Sequence, residues 1–229
     1  MYKYEMHLHT HPCSACSVSS MEEMVAAAKE KGYAGFVVTN HFYHGNTGID
    51  RQLPWEEFVE KYAEDWRRGV ELGKKLGINV LFGIEEGYQR GKEVLIYGLT
   101  PEQIAANPEL RELGLKPLAD FVHKKGGIVI HAHPFRIAPY IPDPDTEPDA
   151  TLLDGVEVNN QNGTKNRNEL AKDFAERKEL LGTSGGDVHS AQNFGRAGLA
   201  FYKPITDSKE LVEEILAGNY RLIVDGEIV

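Results

Sequence analysis

Apolar positions along the chain fall into two recurring patterns. Short continuous runs, at Gly35–Asn40, Ile78–Ile84, Gly127–His131 and Gly155–Asn159, suit strands buried on both faces of a parallel sheet. Between them apolar residues recur at helical spacing, which marks one buried face of a helix. Ser20 predicts a helix start, with Met21, Met24, Val25 and Ala28 on one face and Gly32 as the stop. A long helix is predicted over Trp55–Leu76, ended by Gly77, and others over Pro101–Ala106, Glu109–Lys125, Lys165–Lys178 and Ser208–Ala217. Further strands are predicted at Lys3–His9, Val94–Tyr97, Leu180–Ser184, Ala197–Tyr202 and Tyr220–Val224.

This β-α alternation predicts an α/β fold with a parallel sheet, either a closed barrel or a doubly wound layer. About seven units in a chain of this length come close to the usual barrel size. In both architectures active sites lie at the carboxyl ends of strands. The proline-rich loop Pro139–Pro148 is too short to divide the chain, so one domain over residues 1–229 is expected.

Composition narrows the choice. A hydrophobic content of 41% and a charged content of 26% are ordinary for a globular protein. No apolar run has transmembrane length and no signal segment is visible, so the expected location is the cytoplasm, without a membrane partner. The formal charge of −10 argues for a small phosphorylated substrate and against long nucleic acid, whose backbone calls for a net basic face. Cys13 and Cys16 form one C-x-x-C pair, too few to close a four-cysteine zinc site.

The chemistry concentrates where strands should end. His7 and His9 share one face of the first strand, with Leu8 on the other. His41, Glu85, His131, His133, Asp187 and His189 follow later strands in the same way. A single His-x-His is equally consistent with two hydrogen-bonded histidines; recurrence at successive strand ends favours one convergent site. Imidazole and carboxylate donors suit zinc, iron or manganese. The donors outnumber a four-coordinate site, so two or three divalent ions are expected, with Glu85 as the natural bridge. Paired ions ~3.5–4 Å apart clamp a phosphoryl group and generate a hydroxide nucleophile, which points to metal-assisted hydrolysis.

Five motifs in order, His7-Leu8-His9, Thr39-Asn40-His41, Gly83-Ile84-Glu85, His133-Pro134-Phe135 and Gly186-Asp187-Val188-His189, resemble the PHP (polymerase and histidinol phosphatase) superfamily over residues 5–200. The resemblance implies a distorted (β/α)7 barrel with a trinuclear centre. It also implies a first ion on His7, His9, Glu85 and Asp187, a second shared by Glu85 and held by His133, and a third on His41 and His189. The chain departs from the pattern in three places. Asn40 stands where an aspartate is common. No histidine follows Gly83-Ile84-Glu85 before His123, and Glu93 is the substitute. The loop after His9 offers Cys16 or His11 in place of the usual aspartate or histidine. Arg136 and Arg196 are candidates to fork a phosphate, with a structural salt bridge as the alternative for each. Glu157 and Asn159 are candidates to support the site, His44 is a loop histidine beside it, and Gly185-Gly186 suits close backbone approach.

The expected function is a metal-dependent phosphoesterase that hydrolyses a small phosphomonoester with a metal-bound hydroxide, using Asp187, His189 and Glu85. Alternatives are an amidase or lactonase on the same centre, removal of a terminal phosphate from a short oligonucleotide, or a non-catalytic metal-stabilised binding module.

Overall fold

A computed structural model describes residues 1–112 and 114–229. Its frame is a curled, ten-stranded mixed sheet in the order β10-β9-β8-β1-β2-β3-β4-β5-β6-β7. The strands are β1 (Tyr2–Leu8), β2 (Gly35–Val38), β3 (Asn79–Gln89), β4 (Lys92–Tyr97), β5 (Ile128–His131), β6 (Gly155–Asn160), β7 (Leu181–Gly185), β8 (Gly198–Phe201), β9 (Tyr220–Val224) and β10 (Glu227–Ile228). β1, β2 and β3 run parallel, as do β5, β6 and β7. The segment after β7 returns to β1 through the Leu8–Val188 bridge, where His9 N–H donates to Val188 O at 2.9 Å and Val188 N–H to His7 O at 3.0 Å. The strand tips at one end thus face one another across a closed mouth.

Among the described residues the α-helices are α1 (Met21–Glu30), α2 (Trp55–Leu76), α3 (Pro101–Ala105), α4 (Leu115–Lys124), α5 (Lys165–Lys178) and α6 (Ser208–Leu216). α1 starts in a capping box between Ser20 and Glu23 and buries Met21, Met24, Val25 and Ala28, the face its periodicity predicts. α2 ends at Gly77, whose φ of 71° is the left-handed conformation glycine supplies at a helix end. α6 packs Leu211, Val212 and Ile215 with Tyr4, Tyr97, Ile128 and Phe201, covering the end of the sheet opposite the mouth. Among the described residues no helix is long and apolar enough to cross a membrane.

The distorted (β/α)7 barrel implied by the resemblance is found as a curled mixed α/β sheet whose β/α alternation is interrupted. β3 does not stop at Glu85 but continues to Gln89 and turns through Arg90-Gly91 into β4, which runs antiparallel to both β3 and β5. Both turn residues have positive φ, 46° and 74°, the geometry of a two-residue hairpin, so no crossover helix separates these strands. The connection from β5 to β6 carries only a 3₁₀ turn. The helix predicted over Glu109–Lys125 is likewise divided. Pro108–Glu112 is a 3₁₀ turn, Gly114 precedes α4, and Leu113 lies outside the described residues. Pro117 then falls in the first turn of α4, where its missing N–H costs nothing.

Candidate metal centre

The site grows out of the alternation in β1. Leu8 packs beneath α1, while His7 and His9 point into the mouth. His41 follows β2 and is bridged to Glu85 by backbone pairing, with Glu85 N–H donating to Asn40 O at 3.0 Å. Glu93 comes from β4, His133 from beyond β5, and Asp187 and His189 from beyond β7. Glu85 lies at the centre. Its Oε1 is 3.1 Å from His7 Nε2 and 3.3 Å from His133 Nε2; its Oε2 is 3.3 Å from His9 Nε2 and 2.8 Å from His41 Nδ1. Glu93 stands 3.5 Å from both His41 and His133. Asp187 Oδ1 is 3.6 Å from His7, 3.4 Å from His9 and 3.4 Å from His189.

The imidazoles are oriented from behind. Glu157 Oε1 accepts from His7 Nδ1 at 2.9 Å, while its Oε2 accepts from His133 N–H and Asn160. For His9 the tautomer follows by elimination. Asn40 Oδ1 accepts from Thr10 N–H, so the Ser14 hydroxyl that meets it must donate; Ser14 Oγ then accepts from His9 Nδ1–H at 3.1 Å. His9 Nε2 is left with its lone pair facing the cluster. Asn40 is thus a support for Ser14 and not a donor to the cluster. His189 Nδ1 lies 2.9 Å from the Asp187 carbonyl oxygen. A Cβ on Gly185 would strike Glu157, and one on Gly186 would come within 2.5 Å of Glu5, so the glycines let the backbone pass behind these carboxylates. His133 and Asp187 have φ of 27° and 48°, conformations that non-glycine residues adopt at a cost.

Charge and donor type fit divalent cations. Burial pushes the His7 imidazole down, but Glu157, Glu85 and Asp187 outweigh it and hold its pKa well above the ordinary value. Burial is likewise overcome at His41, which Glu85 raises to about 11. His9 is pushed down to about 3 by burial and by neighbouring His41. Despite burial, Glu85 is held well below the carboxylate range by His7 and His41, and Asp187 by His7, His9 and Arg136. Burial and Glu85 push Glu93 up to about 7. Four triplets, His7/His9/Glu85, His7/His133/Asp187, His41/Glu85/Glu93 and His9/His41/His189, each hold their ligand atoms within 4.8 Å of one another. Buried Glu85 Oε2 and His41 Nδ1, though 2.8 Å apart, make no well-aligned hydrogen bond to each other or to another described group, and His7 Nε2 meets His9 Nε2 at 3.1 Å. Unpaired donors in such a dry site are costly unless a cation or proton joins them.

Of the residues predicted for this site, His7, His9, His41, Glu85, Glu93, His133, Asp187 and His189 are brought together. Arg136 joins them by pairing with Asp187. Arg196 does not. It pairs with Asp225 at 2.5 Å and is exposed, lining a separate groove with Asn160 and Lys165, because β8 leaves the mouth on the outer side of β1. His131 is buried on the other face of β5, hydrogen-bonded to Tyr88 at 2.8 Å. His44 pairs with buried Glu86, and His11 is exposed. Glu5 and Ser14 were not recognisable as supports. Glu5 Oε1 accepts from Gly186, His7 and Met6 N–H groups, contacts that no local pattern announces.

The PHP domain family model matches residues 5–226. The chain belongs to the PHP family. This PHP domain has the fold of metal-dependent phosphoesterases. Over 94% of its length it superposes on 96% of a Bifidobacterium adolescentis chain assigned by inference as a metal-dependent phosphoesterase, with TM-score 0.59 and 16% identity. A two-domain Bacteroides vulgatus protein containing a predicted PHP-like metal-dependent phosphoesterase gives TM-score 0.72 and 15% identity, over 99% of this chain and 66% of that one. Endonuclease Q in complex with a 27-mer duplex substrate carrying an abasic lesion gives TM-score 0.58 and 14% identity, over 94% and 56%. No match was found among curated proteins. The endonuclease complex corrects the expectation, drawn from a charge of −10, that long nucleic acid is excluded: a protein of this fold is solved with a duplex at its active site.

Proposed function

We propose that this PHP domain is a metal-dependent phosphoesterase that releases phosphate from a phosphomonoester, a terminal phosphate on a nucleic-acid strand included. Glu85 carries the reading. One buried carboxylate divides its two oxygens among four imidazoles, the arrangement a bridging ligand needs. His7, His9, Glu85 and Asp187 would hold one ion; Glu85, Glu93 and His133 a second; His41 and His189 a third, with zinc, manganese or iron suited to these donors. Ions bound there supply Lewis-acid stabilisation of phosphoryl charge and activation of water.

The chain's own groups do the rest. Asp187 and Glu85 hold negative charge at the centre and orient the imidazoles around it. Arg136 keeps N–H donors beyond its pair with Asp187, a fork suited to phosphoryl oxygens. His189 is the most exposed imidazole of the cluster, at 28%, and with Nδ1 held by the Asp187 carbonyl it presents Nε2 to the mouth as its ligand atom.

The test is release of inorganic phosphate from an aryl phosphate and a 5′-phosphorylated oligonucleotide, beside an aryl phosphodiester, an ester and a lactone, each repeated with Asp187→Ala. Monoester hydrolysis lost in the variant is expected. Cleavage confined to the diester would replace the reading by a nuclease, and cleavage confined to ester or lactone by a non-phosphate hydrolase.

A further inference from the structure

One soft donor stands among the nitrogens and oxygens of the mouth. Cys16 Sγ lies 3.1 Å from His189 Nε2. His189 Nδ1–H donates to the Asp187 carbonyl, which leaves Nε2 as the ring nitrogen turned to the sulfur. His189 belongs with His9 and His41 to one triplet of converging ligand atoms.

The loop carrying Cys16 is fixed on both sides. Ser14 N–H donates to Thr10 O at 2.8 Å and Ala15 N–H to Asn46 O at 2.9 Å, while Val18 N–H donates to His189 O at 2.9 Å. Ser17 Oγ lies 3.0 Å from the carbonyl oxygens of both His9 and His189. The sulfur is therefore presented by backbone tied to the same segments as the imidazoles. Cys13 is different: it is buried toward α2, near Tyr62 O, and faces no ligand group.

We propose that Cys16 is a thiolate ligand which, with His41 and His189, gives one of the metal positions a sulfur–nitrogen donor set selective for a thiophilic divalent ion such as zinc. This rests on the reading of the cluster as a metal centre. Metal–sulfur and metal–nitrogen bonds of ~2.3 and ~2.0 Å in tetrahedral geometry separate the two donors by about 3.5 Å. A small outward movement of solvent-facing Cys16 opens the 3.1 Å contact that far. Soft thiolate shifts preference away from manganese or magnesium and toward zinc.

The experiment loads the full chain and its Cys16→Ser variant with cobalt(II), counts bound cobalt by elemental analysis, and records the absorption spectrum. The expected result is a near-ultraviolet sulfur-to-cobalt charge-transfer band in the wild type. Cys16→Ser should lose the band together with about one equivalent of cobalt and keep the remainder. X-ray absorption of the zinc form should add a sulfur scatterer at ~2.3 Å that is absent in the variant. Cobalt bound without that band, or a band that persists in Cys16→Ser, overturns the inference and leaves the metal centre standing. Failure to bind cobalt at all overturns both.

Discussion

Glu85 and Glu93 stand on adjacent antiparallel strands and share two imidazoles. His41 Nδ1 is 2.8 Å from Glu85 and 3.5 Å from Glu93, and His133 Nε2 is 3.3 and 3.5 Å from the same pair. The hairpin through Arg90-Gly91 creates this pairing, since it sets Glu93 opposite Gly87, two residues beyond Glu85. Glu93→Ala should therefore lose about one equivalent of metal and at least tenfold in phosphate release, whereas Glu93→His should retain the metal by offering another borderline donor. Elemental analysis of the two variants checks this; equal metal content in Glu93→Ala and wild type would remove Glu93 from the centre.

Glu157 touches no candidate ion position but fixes His7 through Nδ1 and His133 through its backbone. Such supports typically contribute 10–100-fold to metal affinity (roughly), by setting tautomer and ring orientation. Glu157→Gln should weaken affinity by about that factor in competition with a chromophoric chelator, with circular dichroism unchanged. Unchanged affinity would show that His7 does not need this carboxylate.

Metal binding should be strongly pH-dependent. Before an ion enters, His7 is protonated and His41, at about 11, is protonated as well. Both must give up a proton to ligate, so affinity rises with pH and falls on acidification. Around neutral pH, His7 and His41 should release about two protons, the Cys16–His189 pair one more where both ligate, and Glu93, at about 7, a further fraction below that value. Calorimetry in buffers of different ionisation enthalpy counts them. Affinity that is flat from weakly acidic to weakly alkaline pH would contradict the charge arrangement.

The two arginines should behave oppositely. Arg136, partly buried and paired with Asp187, should raise KM for a phosphorylated substrate and lower kcat/KM by about 10–100-fold when changed to alanine. Arg196, exposed and paired with Asp225, should stay within about twofold of wild type. Steady-state kinetics of the two variants decide it, and equal losses would return Arg196 to the site.

Much of the centre was legible because β periodicity and strand ends are local features. His7-Leu8-His9 alternates between mouth and core as a strand must, and Glu85 and Asp187 follow apolar runs. What was not legible depends on long-range placement. The direction of β4 hangs on two residues, Arg90 and Gly91, that carry no strong hairpin signal. Arg196 follows the last of the site motifs by only a few residues, yet its strand turns to the outer side of β1. The link from Asn40 through Ser14 to His9 needs a loop folded back across the tip of β2, which periodicity does not encode.

The most direct test is elemental analysis of the purified protein and of Glu85→Ala. A bridging Glu85 predicts at least two equivalents of zinc, manganese or iron in the wild type, falling below about one when the shared carboxylate is removed. Less than about one equivalent in the wild type, unchanged in the variant, would contradict a multinuclear centre built on Glu85.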